Sequence, residues 1–222
     1  MYDPVLGRTP TMDPKAEDYA PISPYAWCSG NPILFVDPTG LDVYRFDNKG
    51  LFLDRIKNPD FDAVEIFKLD GDIIQSAHYN LGTIRHRNVK IDKQSSYEVI
   101  EVKGDDNGKE LFEFFAENVS KDEKVEYSLA QTGVAGDKGK NFITTSHERG
   151  KESGMGQLFI GQLQYGYTTR SIGHTHPSLY GFDGADKEFI SQINAYYRAI
   201  NYKQPKHYIY HVPLQEYLFY PN

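Results

Sequence analysis

The chain is short of cysteine, of positive charge and of long apolar runs. Its 222 residues include one cysteine, Cys28. A single thiol cannot form an internal disulfide, and it excludes the Cys-rich sites of structural zinc. A metal bound here must use His, Asp and Glu. Lys and Arg number 24 against 31 Asp and Glu, a net charge of −7. That balance gives no broad cationic surface, so nucleic acid is not the expected partner. The short basic run Arg85-His86-Arg87 reads as solvated surface. No stretch of about 18 apolar residues occurs, so no helical membrane span is expected. The first residues carry no apolar core of a signal peptide, so export by that route is not expected.

Aromatic residues are abundant. Seventeen Tyr and 13 Phe contribute to a hydrophobic content of 39%, enough for one or two small cored domains. The pattern changes along the chain. In residues 1–41 the pairs Asp3-Pro4, Asp13-Pro14 and Asp37-Pro38 impose extended or turn backbone, and no helical period appears. Residues 42–103 read as a β-rich segment. Val43–Phe46 and Leu51–Leu53 flank the hairpin turn Asn48-Lys49-Gly50, and further strands are expected at 63–67, 73–74 and 97–102. His78 and His86 stand isolated there and suggest surface or structural roles.

Residues 104–222 alternate helix and strand, which indicates an α/β (α+β) layer fold. A helix is expected over 105–121, capped by its Asp-Asp-Asn-Gly start, with Leu111, Phe112, Phe115 and Val119 on one face. A strand at 124–130 puts Val125, Tyr127 and Leu129 on one face and Glu126, Ser128 and Ala130 on the other. Strands are also expected at 141–145, 158–160, 171–176, 207–212 and 217–220, and a helix at 183–202. The Gly-rich loop at 132–140 lacks the Lys-Ser/Thr ending of a phosphate loop.

The chemistry concentrates at Gly173-His174-Thr175-His176-Pro177, with Asp186 ten residues after the second His. Imidazoles at i and i+2 of a strand point to one face. With a carboxylate brought back by a short loop, they make the ligand set of a catalytic zinc with an open fourth position. A general base is then needed near the bound water. Glu126 is the leading candidate, and Glu148 and Glu152 on the polar loop 147–152 compete with it. A plainer reading needs no metal. Asp183 and Asp186, three apart at a helix start, serve equally well as an N-cap and a carboxylate facing the helix dipole.

Two resemblances bear on these readings. Tyr2-Asp3-Pro4, Gly7-Arg8, Asp13-Pro14, Ser23-Pro24-Tyr25-Ala26-Trp27-Cys28, Asn31-Pro32 and Asp37-Pro38-Thr39-Gly40-Leu41 follow one another in register. This order resembles the C-terminal end of the RHS-repeat-associated core domain. The resemblance implies a β-shell that encloses a variable effector, cleavage after the position of Leu41, and a part in that cleavage for Asp37. Residues from Asp42 onward would be the effector.

The second resemblance covers roughly residues 105–220. A helix, a strand with Glu, a strand ending in His-Thr-His-Pro and an Asp opening a helix are similar to the JAB/MPN metalloprotease family. It implies a mixed, cytidine-deaminase-like sheet flanked by helices, with Zn²⁺ on His174, His176 and Asp186 and Glu126 as base. Two departures stand out. The Asp usually lies eleven residues after the second His, and here it lies ten. The family's oxyanion-stabilising Ser is replaced by Asp183, which leaves Ser178, the metal or a backbone amide for that role, and makes Asp183 the alternative to Asp186 as third ligand.

Together the resemblances imply a leader (1–41), a β-rich segment (42–103) and a JAB-like metallopeptidase domain (104–222). Residues from Asp42 onward would be the toxic tip of an RHS polymorphic toxin. Its expected partners are a protein or peptide substrate, a cognate immunity protein and the RHS shell. It would be made in a bacterial cytoplasm and delivered to a target cell by a specialised secretion system. The rival readings are a metal-dependent nuclease or deaminase using the same His pair, and a non-enzymatic interaction module. The chain lacks the Pro-Cys-x-x-Cys element of a zinc deaminase.

Overall fold

The computed structural model describes residues 41–58, 61–67, 72–80, 82–92, 95–178 and 180–221. Except for Leu41, the RHS-like leader and Asp37 lie outside the described residues.

The first four strands are β1 (Leu41–Asp47), β2 (Phe52–Asn58), β3 (Asp62–Phe67) and β4 (Ile73–Tyr79). They form a sheet in the order β2-β1-β3-β4. The turn chemistry of the β1–β2 hairpin is local. Asp47 Oδ1 accepts the amides of Lys49 and Leu51, both at 2.9 Å. Gly50 takes φ +79°, a conformation that side chains oppose, and a Cβ there would lie 2.1 Å from the Tyr127 hydroxyl.

The remaining strands are β5 (Ile84–Lys90), β6 (Ser96–Lys103), β7 (Ser128–Thr132), β8 (Lys140–Thr145), β9 (Thr169–His176), β10 (Lys206–His211) and β11 (Glu216–Phe219). They make a seven-stranded sheet in the order β11-β10-β9-β7-β8-β6-β5. In this sheet only β9 and β10 pair in parallel, joined by a helical crossover. The segment 42–103 therefore divides between the two sheets, with β5 and β6 pairing beside β8.

Among the described residues, four α-helices complete the fold. They are α1 (Asp105–Phe115), α2 (Lys121–Glu123), α3 (Gly154–Leu158) and α4 (Gly184–Ala199). The expected Asp-Asp-Asn-Gly cap on α1 is not used as a cap. Gly104 holds that position without a side-chain bond, and the Asp105 carboxylate instead accepts the Gly136 amide and Arg170. It thereby pins the Gly-rich loop. The strand expected at 158–160 is helical. Residues 159–163 continue α3 as a π-helical turn, with Met155, Leu158, Phe159 and Leu163 buried at helical spacing and Ile160 exposed. A three-residue apolar run carries no period that could separate the two outcomes.

Two core layers lie on opposite faces of the large sheet. On one face, Ile100, Val102, Leu129 and Ile143 pack with α1 and with Tyr44, Phe46 and Val64 of the small sheet. On the other, Val99, Ala130, Phe142 and Ile172 pack with α3, its π turn and α4. Strand alternation sends each side chain to one layer or the other. In β9, Thr175 turns towards Ser120 at the end of α1's extension, at 3.2 Å, and His174 and His176 turn to the α3–α4 face.

Candidate metal centre

Antiparallel pairing of β7 with β9 sets Ser128 opposite His174. The segment before β7 is held to β9 by two bonds. The Thr175 amide donates to the Tyr127 carbonyl at 2.8 Å, and the Tyr127 amide donates to Thr175 Oγ1 at 3.0 Å. Tyr127 is thereby locked into the α1-side core, and Glu126 is left facing the His pair. The regular strand begins at Ser128 rather than at 124. Glu126 lies in an extended link between β7 and an isolated bridge at Val125.

The His pair and Asp186 come together. His174 Nε2 lies 2.9 Å from His176 Nε2 and 3.0 Å from Asp186 Oδ1, and His176 Nε2 lies 3.4 Å from Asp186 Oδ2. Tetrahedral zinc with N and O ligands at about 2.0–2.1 Å spaces its ligand atoms about 3.3 Å apart. The three side chains therefore fit one small cation. Among the described residues this is the group of His, Asp and Glu side chains close enough to share an ion.

Asp186 reaches this position because of how α4 starts. Asp183 is the N-cap, and its Oδ1 accepts the Asp186 amide at 2.9 Å. The Asp186 carboxylate returns the bond to the Asp183 amide, closing a capping box. The third member of the cluster is thus Asp186, and the Asp183 oxygen that accepts is committed to the helix end. Burial opposes ionisation of Asp186. The hydrogen bonds from His174 and His176 outweigh it and hold the carboxyl well below the usual carboxylate range.

A cleft of about 440 Å³ opens at the cluster. Glu126, Glu152, Ser178, Asp183 and Lys151 line its polar side, and Met155, Ile172 and Phe189 its apolar end. Glu126 is buried, and burial raises its carboxyl pKa despite the opposing pull of His174 and His176. Ser178 is exposed at the rim. Of the two competing carboxylates, Glu148 points to solvent and pairs with Lys151 at 3.5 Å. Glu152 is engaged elsewhere, accepting Ser128 Oγ at 2.7 Å and the amides of Gly154 and Met155 at 2.6 and 3.0 Å. Burial still raises its carboxyl.

A second buried polar cluster lies on the opposite face, where the sequence suggests only isolated residues. His86 and His147 each bring Nε2 to 3.4 Å from the Glu98 carboxylate. His86 also stacks on Phe52, with ring centroids 4.1 Å apart. The middle residue of Arg85-His86-Arg87 thus points inward, between two exposed arginines. The alternation of β5 was the only sequence signal for it.

Residues 100–197 match the model of the family described as JAB-like toxin 1. No curated protein matches the chain. The matched stretch contains Glu126, both histidines and Asp186, and it supports a JAB-like toxin domain there. Two mixed sheets flanked by few helices are consistent with a JAB-like toxin fold. Among the described residues, no helix is long and apolar enough to cross a membrane.

Proposed function

We propose that the chain carries the effector of an RHS-type toxin and that this effector is a zinc-dependent hydrolase of peptide or isopeptide bonds. One observation carries the reading. His174, His176 and Asp186 converge on one ligand sphere beside the buried carboxylate of Glu126. Two imidazoles and a carboxylate favour zinc over the oxygen-seeking magnesium and calcium. Both histidines would hold the ion through Nε2 and Asp186 through a carboxylate oxygen. A zinc ion so held lowers the pKa of water from about 15.7 towards 7 and polarises a carbonyl.

The chain's own groups divide the remaining work. Glu126, made more basic by burial, takes the proton of the attacking water and returns it to the departing nitrogen. Ser178, whose hydroxyl lines the same cleft, would donate to the carbonyl oxygen as negative charge develops there. Asp183 acts indirectly, by seating Asp186. The cleft presents four carboxylates, Glu126, Glu152, Asp183 and Asp186, against one lysine, Lys151. That lining favours a protein or peptide substrate over nucleic acid and speaks against the nuclease reading.

We assign residues 1–41 to the RHS tail, on their sequence alone. In that setting the RHS shell and a cognate immunity protein are partners. Delivery runs from the producing cytoplasm into a target cell through a specialised secretion system.

Zinc measured by mass spectrometry in the purified chain tests the metal. About one ion per wild-type chain is expected, with loss in His176→Ala. A wild-type chain that neither carries nor takes up zinc overturns the reading. For the reaction, the full chain and Glu126→Gln are expressed in sensitive cells and new protein N-termini and released isopeptide products are compared. Identical patterns would overturn hydrolysis of peptide bonds.

A further inference from the structure

Two of the three candidate ligands end β9 and the third begins α4, so the triad depends on how the link 177–183 is seated. Among its described residues, two ring contacts tie it to the C-terminal hairpin. Tyr180 meets His211 edge to face, with centroids 5.0 Å apart and rings at 82°. Phe182 meets Tyr220 in the same manner, at 5.1 Å and 80°.

The hairpin side of this clamp is rigid. His211 is buried, closes β10 and is the register partner of His176. The next amide, Val212, donates to the His176 carbonyl at 3.0 Å. Tyr220 follows β11, and its amide donates to the His207 carbonyl at 2.9 Å. The strand that presents His176 therefore fixes the rings that hold the link leading to Asp186.

We propose that His211 and Tyr220 are positioning residues for the metal triad, acting through Tyr180 and Phe182 on the link that sets Asp186 against His174 and His176. The proposal rests on the metal reading above. Edge-to-face aromatic pairs contribute beyond their buried area, and two of them on a link this short restrict where α4 can begin. The part of His211 that meets Tyr180 is its ring. Among the described residues its Nδ1 makes no hydrogen bond although it is buried. It also stands apart from the three-residue ligand group.

The test is the zinc dissociation constant of the full chain, measured by competition with a chromophoric chelator, together with thermal unfolding of the metal-free protein. His211→Ala, Tyr180→Ala and Phe182→Ala are each expected to weaken zinc binding about 10-fold, the scale of residues that orient ligands without touching the ion. His211→Phe and Tyr220→Phe keep the rings and should bind as wild type does. That rescue separates placement of the link from loss of fold. Alanine variants that bind zinc as tightly as wild type would overturn the clamp alone. Equal loss in His211→Phe and His211→Ala would overturn it too, by making the nitrogen essential. A wild-type chain without zinc affinity would overturn the metal reading, and the clamp with it.

Discussion

Asp183 and Asp186 hold one another, each accepting the other's backbone amide at 2.9 Å. The first of these bonds, from the Asp186 amide to Asp183, starts α4, and the second, from the Asp183 amide, holds the Asp186 carboxylate beside the imidazoles. Replacing Asp183 should therefore disturb a residue it does not resemble in function. Asp183→Ala is expected to cost about 1 kcal/mol of stability, the usual loss of an N-cap, and to weaken zinc binding through Asp186. Asp183→Ser keeps a capping oxygen and should retain both properties. Asp186→Asn keeps an acceptor for the Asp183 amide but not the anionic ligand, so it should melt near wild type and bind little zinc. Calorimetry and zinc titration on the three variants check this.

How far the sequence revealed the site follows from the same geometry. Strand alternation put His174 and His176 together, and Glu126 opposite Tyr127, because period two is local. Spacing does not decide between Asp186 and Asp183, since both carboxylates lie in one helical turn, and only the contacts of Asp186 with His174 and His176 separate them. The helix at α3 was missed because Leu158-Phe159-Ile160 is too short to display a period, and its partners Met155 and Leu163 lie outside the apolar run. The His86–Glu98–His147 cluster joins two paired strands, β5 and β6, to a loop some fifty residues further along the chain, and nothing in the sequence marks the arrival of His147.

Gly173, which pairs with Leu129 of β7 on one side and Tyr208 of β10 on the other, has a packing reason rather than a conformational one. A Cβ there would lie 2.1 Å from Cε2 of Tyr208, whose ring covers the Gly173 backbone. Tyr208 is buried and has Tyr217 within 5.4 Å, so the ring has little room to yield. Gly173→Ala is expected to destabilise by about 2–3 kcal/mol, at the upper end of ordinary overpacking. Combining it with Tyr208→Leu should recover part of that loss. Urea unfolding of the single and double variants measures it, and additive losses would contradict the contact.

Acid should destabilise the metal-free protein in two successive windows. Burial, assisted by His174, lowers the pKa of His207 to about 4, and its ring is bonded to Asn194 at 3.0 Å. The folded value lies below the ordinary one of about 6.5, so the unfolded chain binds the proton first. The contribution is complete above pH 6.5 and is lost as pH falls towards 4. For Glu98, burial opposes ionisation, but His147 and His86 prevail and lower the carboxyl to about 2. Its contribution is complete above about pH 4.5 and is lost as pH falls towards 2. His207→Gln should flatten the upper window and Glu98→Gln the lower. Urea midpoints at pH 7, 5 and 3.5 with chelator present resolve the two.

Glu126 is the residue on which catalysis and metal binding should come apart. It is buried in the cleft but is not one of the three side chains that share the ligand sphere. Glu126→Gln preserves shape and removes only the ability to take a proton. Burial raises the carboxyl, so the amide should be easier to bury than the carboxylate, and stability should hold or rise slightly. Zinc content should stay at the wild-type level. The rate should fall by about 10²–10⁴-fold, the usual contribution of a general base. A variant that keeps zinc and also keeps its rate would move the base to Glu152. That carboxylate would first have to release Ser128 and the amides that start α3.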